Sequence, residues 1–205
     1  MATSTDTSFV SLLCKEPWDY YASGECLIKF EGNGTGHLIC RSELVVFISV
    51  ELEWKLLSLN HSAQRTTDNK NTTAAYLLNT LLNNWWFRST ASSSIAEAEI
   101  EVTLLKQHAR ILGPMKGCIC NEHVLKPEAF LPKRFAITLE KGSFWPAGVQ
   151  SLSRVPDWIS RHSYRLLFDK SPFPPRDEWK DPDGGPDANQ FWEFRKFCSH
   201  PVPKR

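Results

Sequence analysis

No run of apolar residues in this 205-residue chain approaches membrane-spanning length, and a transmembrane helix needs roughly 20 of them. The opening MATSTDTSFVSLLCKEPWDYY lacks the basic flank and apolar stretch of a secretion signal. The expected location is therefore cytoplasmic, where the six cysteines are reduced thiols. A net charge of +1 supplies no basic field, so neither nucleic acid nor a membrane surface is an expected partner. Gly32, Gly34 and Gly36 lie between two alternating segments rather than between a strand and a helix, which removes the phosphate-cradling glycine loop. No G-x-S-x-G elbow occurs. The six histidines form neither H-x-H nor H-E-x-x-H. Cys118-Ile119-Cys120 with His123 is half of a zinc site without a second pair at workable spacing, and reads more simply as loop thiols. The expectation is a protein that works with no cofactor and no metal.

What the chain does contain is period-two alternation and tryptophan, eight of them. Tryptophan offers a large flat apolar area with one N–H donor, suited to a thick core or an aromatic ligand cavity. ECLIKFEGNGTGHLICRS reads as two strands joined by a turn at Gly32-Asn33-Gly34. A third strand follows over roughly residues 43–57. SIAEAEIEVTLLKQHARIL alternates cleanly, with Ala96, Ala98, Ile100, Val102 and Leu104 on one side and Glu97, Glu99 and Glu101 on the other. RFAITLEKGSF and SYRLLFDKS add strands with Phe135, Ile137, Leu139 and Tyr164, Leu166, Phe168 as their bulky faces. At least six strands with one-sided burial point to antiparallel sheet.

Two helices are expected. NTTAAYLLNTLLNNWWFRS spaces Ala74, Leu78, Leu81, Leu82, Trp85 and Trp86 by threes and fours, with Thr72 or Thr73 as N-cap. PDANQFWEFRKFC starts with proline near the first helical position. Between the last strand and that helix, KSPFPPRDEWKDPDGG is too rich in proline and aspartate for regular structure. It reads as an ordered loop over the sheet, since Phe173 and Trp179 need cover. A curved antiparallel sheet removes its edges by closing. The expected fold is therefore mainly β: an antiparallel lipocalin-like (calycin-type) β-barrel with one helix near a barrel mouth and a C-terminal helix. It forms one domain over 1–205, with an N-terminal arm (1–22), a helical insertion (66–94) and a Pro-rich loop with the C-terminal helix (171–205). Such a barrel leaves an interior that side chains fill or that holds one small ligand.

CRSELVVFISVELEWK, residues 40–55, has two faces. Either Leu44, Val46, Ile48, Val50, Leu52 and Trp54 point inward and Arg41, Glu43, Glu51 and Glu53 are a solvated outer face, or the strand reverses or bulges near Ser49. In the second arrangement Arg41, Glu43 and Glu51 line a cavity floored by Phe47, a polar cluster able to hold the handle of a hydrophobic ligand. Trp85, at the end of the first helix, either covers such a cavity or anchors the helix to the sheet.

FEGNGTGHLICRSELVVFISVELEWK, FAITLEKGSF and LLFDKSPFPPRDEWKDPDGGPDANQFWEFRKFC together resemble a group of small fungal proteins, some encoded in biosynthetic gene clusters. Their recurring pattern is D-G-T-G-E-L, C-R-x-E-F, A-E-F-x-W-K, L-x-K-G-x-F, then L-L-F-D-K-S-P-x-P-P-R and G-G-P-D with F-W. On that pattern Arg41, Glu43, Glu51, Trp54, Asp169, Lys170 and Arg176 fall on the group's polar and aromatic positions. Asn33 and His37 depart from it, where Asp and Glu are usual. The functional analogue this resemblance suggests is a norbornene-forming Diels–Alderase of sordarin diterpenoid biosynthesis. It implies a cofactor-independent cyclase performing an intramolecular Diels–Alder-type reaction on a hydrophobic, terpenoid-like intermediate. The resemblance then implies Arg41 as donor to the dienophile carbonyl, oriented by Glu51 and Glu43, with Phe47, Trp54, Tyr164, Trp145 and Trp85 shaping the wall. A carrier of a small lipophilic molecule requires the same cavity. A protein whose tryptophans and Pro-rich loop serve an interaction partner requires none.

Overall fold

The computed structural model describes residues 4–21, 23–60, 92–114, 116–149 and 155–202. Its elements run α1 (Ser4–Lys15), β1 (Trp18–Asp19), β2 (Cys26–Phe30), β3 (Thr35–Ser42), β4 (Val45–Asn60), β5 (Ser93–His108), β6 (Lys133–Phe144), β7 (His162–Phe168), α2 (Gly185–Asn189) and β8 (Lys196–Pro201). Each strand is antiparallel to the next, and Asp19 of β1 pairs with Cys198 of β8, so the sheet closes into an eight-stranded ring. The β2–β3 turn and the β6–β7 connection lie at one end, called upper here. The β3–β4 turn and the β7–β8 connection lie at the lower end. Among the described residues no helix is long and apolar enough to cross a membrane.

The alternation behaves as expected on β5, where Ala96, Ala98, Ile100, Val102 and Leu104 are buried inside. On the outer side Glu101 meets Lys55 of β4 at 2.7 Å and Arg134 of β6 at 3.4 Å. The turn after β2 forms at the Gly32–Gly34 segment, with Gly34 at φ 85. On β4 it is Ile48, Val50, Leu52 and Trp54 that face the lumen.

That lumen is full. Ile28, Phe30, Leu38, Ile48, Val50, Leu52, Ile100, Leu166 and Phe197 have no exposed surface at all. No void of even water size borders them. The oily hollow expected along the barrel is therefore not found in this stretch. An eight-stranded ring is only wide enough for its own side chains when these are Phe, Leu and Ile.

The lower end is closed by the Pro-rich connection between β7 and β8, as its sequence suggests. Phe173, Trp179, Phe191 and Phe194 are all buried there. Trp179 Nε1 donates to the Pro174 carbonyl at 3.1 Å. Arg176 holds the segment together with two hydrogen bonds of 2.8 Å to the Asp187 carboxylate and one of 2.6 Å to Asp183.

Three expectations need correction or fall elsewhere. The C-terminal helix is only the five-residue α2. It ends at Gln190 in the left-handed conformation, and the chain continues through a single turn at Phe191–Glu193 into strand β8. The three-residue spacing of Phe191, Phe194 and Phe197 suits a helix, but β1 and β7 both present unpaired backbone groups that only a strand can satisfy. The N-terminal arm contains α1, whose Phe9 and Leu13, four apart, enter the core. Lys29 Nζ donates to the Cys14 carbonyl at that helix's end, and Trp18 Nε1 to the Leu13 carbonyl at 2.9 Å. The helix expected near residues 72–86 lies outside the described residues, while Ser93 and Ser94, assigned to the same insertion, belong to β5.

Gly36 marks the tightest backbone approach. A Cβ there would sit 2.1 Å from the Lys29 carbonyl oxygen, whereas one at Gly32 would meet nothing within 4 Å. Gly36→Ala should lose about 3 kcal/mol in urea denaturation, the range of an overpacked core. Gly32→Ala should stay within about 0.5 kcal/mol of wild type. Equal effects would contradict the β2–β3 register.

Candidate functional site

The period-two reading of β7 runs backward from Phe168 through Leu166 and Tyr164 to His162, placing all four on the lumen side. In register, Leu166 faces Phe197 of β8, Tyr164 faces Ser199 and His162 faces Pro201. The inner row thus changes character towards the upper end, from aromatic and aliphatic to imidazole, phenol and hydroxyl. His200 follows with φ 62, a left-handed conformation uncommon for a residue other than glycine. Its ring lies 5.1 Å from that of Tyr164 and 6.4 Å from Trp18. The corner between α1 and β1, carrying Lys15 and Glu16, stands beside it.

His162 is 6% exposed and Ser199 2%. His162 Nδ1, Ser199 Oγ and both ring nitrogens of His200 are buried without a hydrogen-bond partner among the described residues. A buried polar group left unpaired costs about 1–3 kcal/mol. Arg41 Nε and Ser49 Oγ are also unpaired, singly, but at this end such atoms are clustered on three neighbouring residues. Burial lowers the pKa of His162, against the Ser160 backbone and Glu16, which raise it, while the neighbouring His200 lowers it further. Burial likewise lowers His200, against Glu16 and with Lys15 and Lys29. Both imidazoles are therefore neutral at pH 7. Each then offers one N–H donor and one ring-nitrogen acceptor. Perturbed titratable groups gathered at one end of an apolar interior make this the candidate site.

The residues singled out from sequence are not gathered in one place. Tyr164 belongs to this cluster. Trp54 is in the lumen, its Nε1 donating to the Glu31 carbonyl at 3.0 Å. Arg41 sits at a bulge at the end of β3 with a buried Nε that has no partner among the described residues. Glu43 is exposed in the β3–β4 turn at φ 52. Glu51 is on the outer face, accepting the Arg110 backbone N–H at 2.8 Å. The Arg41–Glu43–Glu51 cluster lining a cavity is thus not formed, because Val50 and Leu52 hold the strand in the opposite orientation. Phe47, the extra residue at the register shift opposite Cys40 and Arg41, packs against Phe191 and Trp179 of the lower-end cluster, with ring centroids at 5.2 and 6.4 Å. Trp145 lies outside the ring beneath the Arg161 guanidinium, 4.5 Å from the ring centroid. Trp85 lies outside the described residues.

His162, Ser199 and His200 were not singled out from sequence. Carrying the Tyr164–Leu166–Phe168 alternation back two residues reaches His162. Ser199 and His200 are hidden by the helical spacing of the preceding aromatics. A separate open cleft of about 320 Å³ lies beside the β2–β3 turn, lined by Asn33, Thr35, Glu53, Lys55, Glu101 and Thr103. Its main charged pair, Lys55–Glu101, is already satisfied, so it lacks the unmet hydrogen-bonding demand of the upper end. Among the described residues no group of three or more His, Cys, Asp or Glu could hold a metal ion. No family model, curated protein or solved structure matches the chain.

Two measurements test the unpaired state. Ser199→Ala should leave stability unchanged or raise it by up to about 1 kcal/mol, because a buried hydroxyl without a partner is lost; destabilisation beyond that would mean the hydroxyl is bonded. Because both folded-state pKa values lie below the ordinary value of about 6.5, the unfolded chain binds more protons as pH falls below that value. Stability is fully present above it and declines through the window down to the folded values. His162→Phe should flatten the fall in melting temperature between about pH 7 and 5, and an unchanged slope would remove His162 from the account.

Proposed function

We propose that this is a lipocalin-like barrel that binds a small, largely apolar organic molecule at its upper end and acts on it as a cofactor-independent isomerase or cyclase. The single observation that carries this reading is the set of buried, unpaired polar atoms on His162, Ser199 and His200. A guest with one or two polar atoms would meet that demand while its apolar body packs on Tyr164, which is only partly buried. The site is the end of the barrel, since the middle of the lumen is filled.

The resemblance to the fungal group suggests the substrate class, a hydrophobic terpenoid-like intermediate, and the reaction, an intramolecular Diels–Alder-type cyclisation. Such a reaction moves no atom in or out. It needs the diene and dienophile held in one reactive shape, which binding supplies as prepaid entropy. It gains further from a donor aimed at the dienophile's carbonyl as charge shifts towards oxygen. A neutral imidazole N–H of His162 or His200, or the Ser199 hydroxyl, fills that role in place of Arg41. The same neutral imidazoles could relay a proton in a double-bond isomerisation, which is also mass-neutral.

A second reading is a non-catalytic carrier of a lipophilic molecule. It is favoured by the lack, among the described residues, of a carboxylate hydrogen-bonded to either imidazole; Glu16 acts only through space. Catalytic histidines are commonly oriented by such a partner.

Incubation of the purified protein with metabolite extract from a strain lacking its gene should convert one compound into an isomer of identical mass. His162→Phe with Ser199→Ala should slow that conversion at least 100-fold, the lower range for a positioned acid, base or donor, while the far-ultraviolet spectrum is unchanged. Retention of one compound without conversion would select the carrier, and a product differing by oxygen or hydrogen would reject the isomerase.

A further inference from the structure

The connection between β5 and β6 folds back on the backbone edge of β4 and is clamped there by one side chain. Asn121, at φ 51, accepts the Ser49 backbone N–H on Oδ1 at 2.9 Å and donates from Nδ2 to the Ser49 carbonyl at 2.9 Å. This pair of bonds fixes which end of the amide is which. The second hydrogen on Nδ2 points to His108 Nδ1, 3.0 Å away. His108 Nδ1 must then be the unprotonated acceptor, with the ring proton on Nε2. Cys120 Sγ lies 3.5 Å from that same nitrogen.

The clamp also sets the position of Cys118. The Cys120 N–H donates to the Cys118 carbonyl at 3.2 Å, a three-residue turn that draws the two cysteines together. Their thiols are within hydrogen-bonding reach of one another, while Ile119 between them points outward. Cys118 is partly exposed and Cys120 is buried. Burial pushes the Cys120 thiol up, and the neighbouring Cys118 adds to this. Cys120 therefore rests protonated beside His108 Nδ1, the nitrogen that also accepts the Asn121 N–H.

We propose that Cys118 and Cys120 are a reactive dithiol that a hydroperoxide converts to a disulfide, with His108 as the proton acceptor. The Cys118 thiolate attacks the hydroperoxide's terminal oxygen. The O–O bond breaks, the alkoxide or hydroxide leaves and takes up the proton that the Cys118 thiol released on ionising, and Cys118 becomes a sulfenic acid. Cys120 then attacks the Cys118 sulfur as His108 Nδ1 takes its proton. The S–O bond breaks, and the leaving hydroxide receives that proton as water. Two thiols are oxidised by two electrons in total and one hydroperoxide is reduced. The other close cysteine pair, Cys26 and Cys40, faces the filled lumen and is out of an oxidant's reach.

The test treats the full chain with hydrogen peroxide and reads intact mass, peptide maps and dimedone labelling. Wild type should lose two hydrogens, with the crosslink mapping to Cys118–Cys120 and dithiothreitol reversing it. Cys120→Ser should stop at a sulfenic acid on Cys118 that dimedone traps, and Cys118→Ser should give neither crosslink nor adduct. His108→Gln should slow disulfide formation about 100-fold while leaving the first step unchanged, so dimedone capture at Cys118 rises. A crosslink at Cys26–Cys40, over-oxidation of Cys118 with Cys120 still free to alkylate, or no reaction at either thiol would overturn the proposal.

Discussion

The whole arrangement depends on closing a ring through a strand of two residues. Asp19 is in register with Leu27 on one side and Cys198 on the other. Its carboxylate accepts the backbone N–H of Tyr21 at 3.0 Å and of Gly24 at 2.6 Å, the latter at φ 72. One side chain thereby shapes the turn that brings β2 back alongside β1. Without it β2 and β8 would present open edges, and the lumen they share would be open to water. Tyr20, next along, stacks on Phe194 with ring centroids 3.7 Å apart, which ties the same short strand to the lower-end aromatic cluster.

Closure makes the inside of the ring an expensive place for polar atoms, and its two ends treat them differently. At the lower end, Trp179 Nε1 and Ser171 Oγ each find a carbonyl. At the upper end, His162 Nδ1, both ring nitrogens of His200 and the Ser199 hydroxyl find none among the described residues. Arg41 Nε and Ser49 Oγ are unpaired elsewhere, so what sets the upper end apart is the clustering of such atoms, a demand that one guest could meet. The neutral state of both histidines follows from the same burial, so desolvation is at once the cost and the source of chemical capacity.

Strand β4 also makes contacts beyond its own sheet. Along it, Phe47 packs against the Pro-rich connection, the Ser49 backbone is bonded by Asn121, and Glu51 accepts from the start of the β5–β6 connection. Two connections thus fold back on one strand. The Asn121 clamp, made entirely to backbone groups of Ser49, gives Cys118, Cys120 and His108 their mutual geometry.

Strand identity, the inward set on β5 and the turn at Gly32–Gly34 were legible from local alternation and turn chemistry, because these depend on neighbours one to four residues away. The burial of Phe173 and Trp179 was legible too, since proline-rich backbone cannot extend a sheet yet its aromatics still require cover. The orientation of β4 was not, because both of its rows are covered, one by the lumen and one by distant connections. The last segment was misread for a related reason: spacing by three favours a helix, and only the unpaired backbone of β1 and β7 makes a strand the lower-energy choice. The sequence by itself determined that this chain forms a strand-rich, antiparallel fold with buried aromatics. Only the tertiary structure decided that the ring is filled, and that His162, Ser199 and His200 share one buried end, since burial without partners is a property of what surrounds a residue in space.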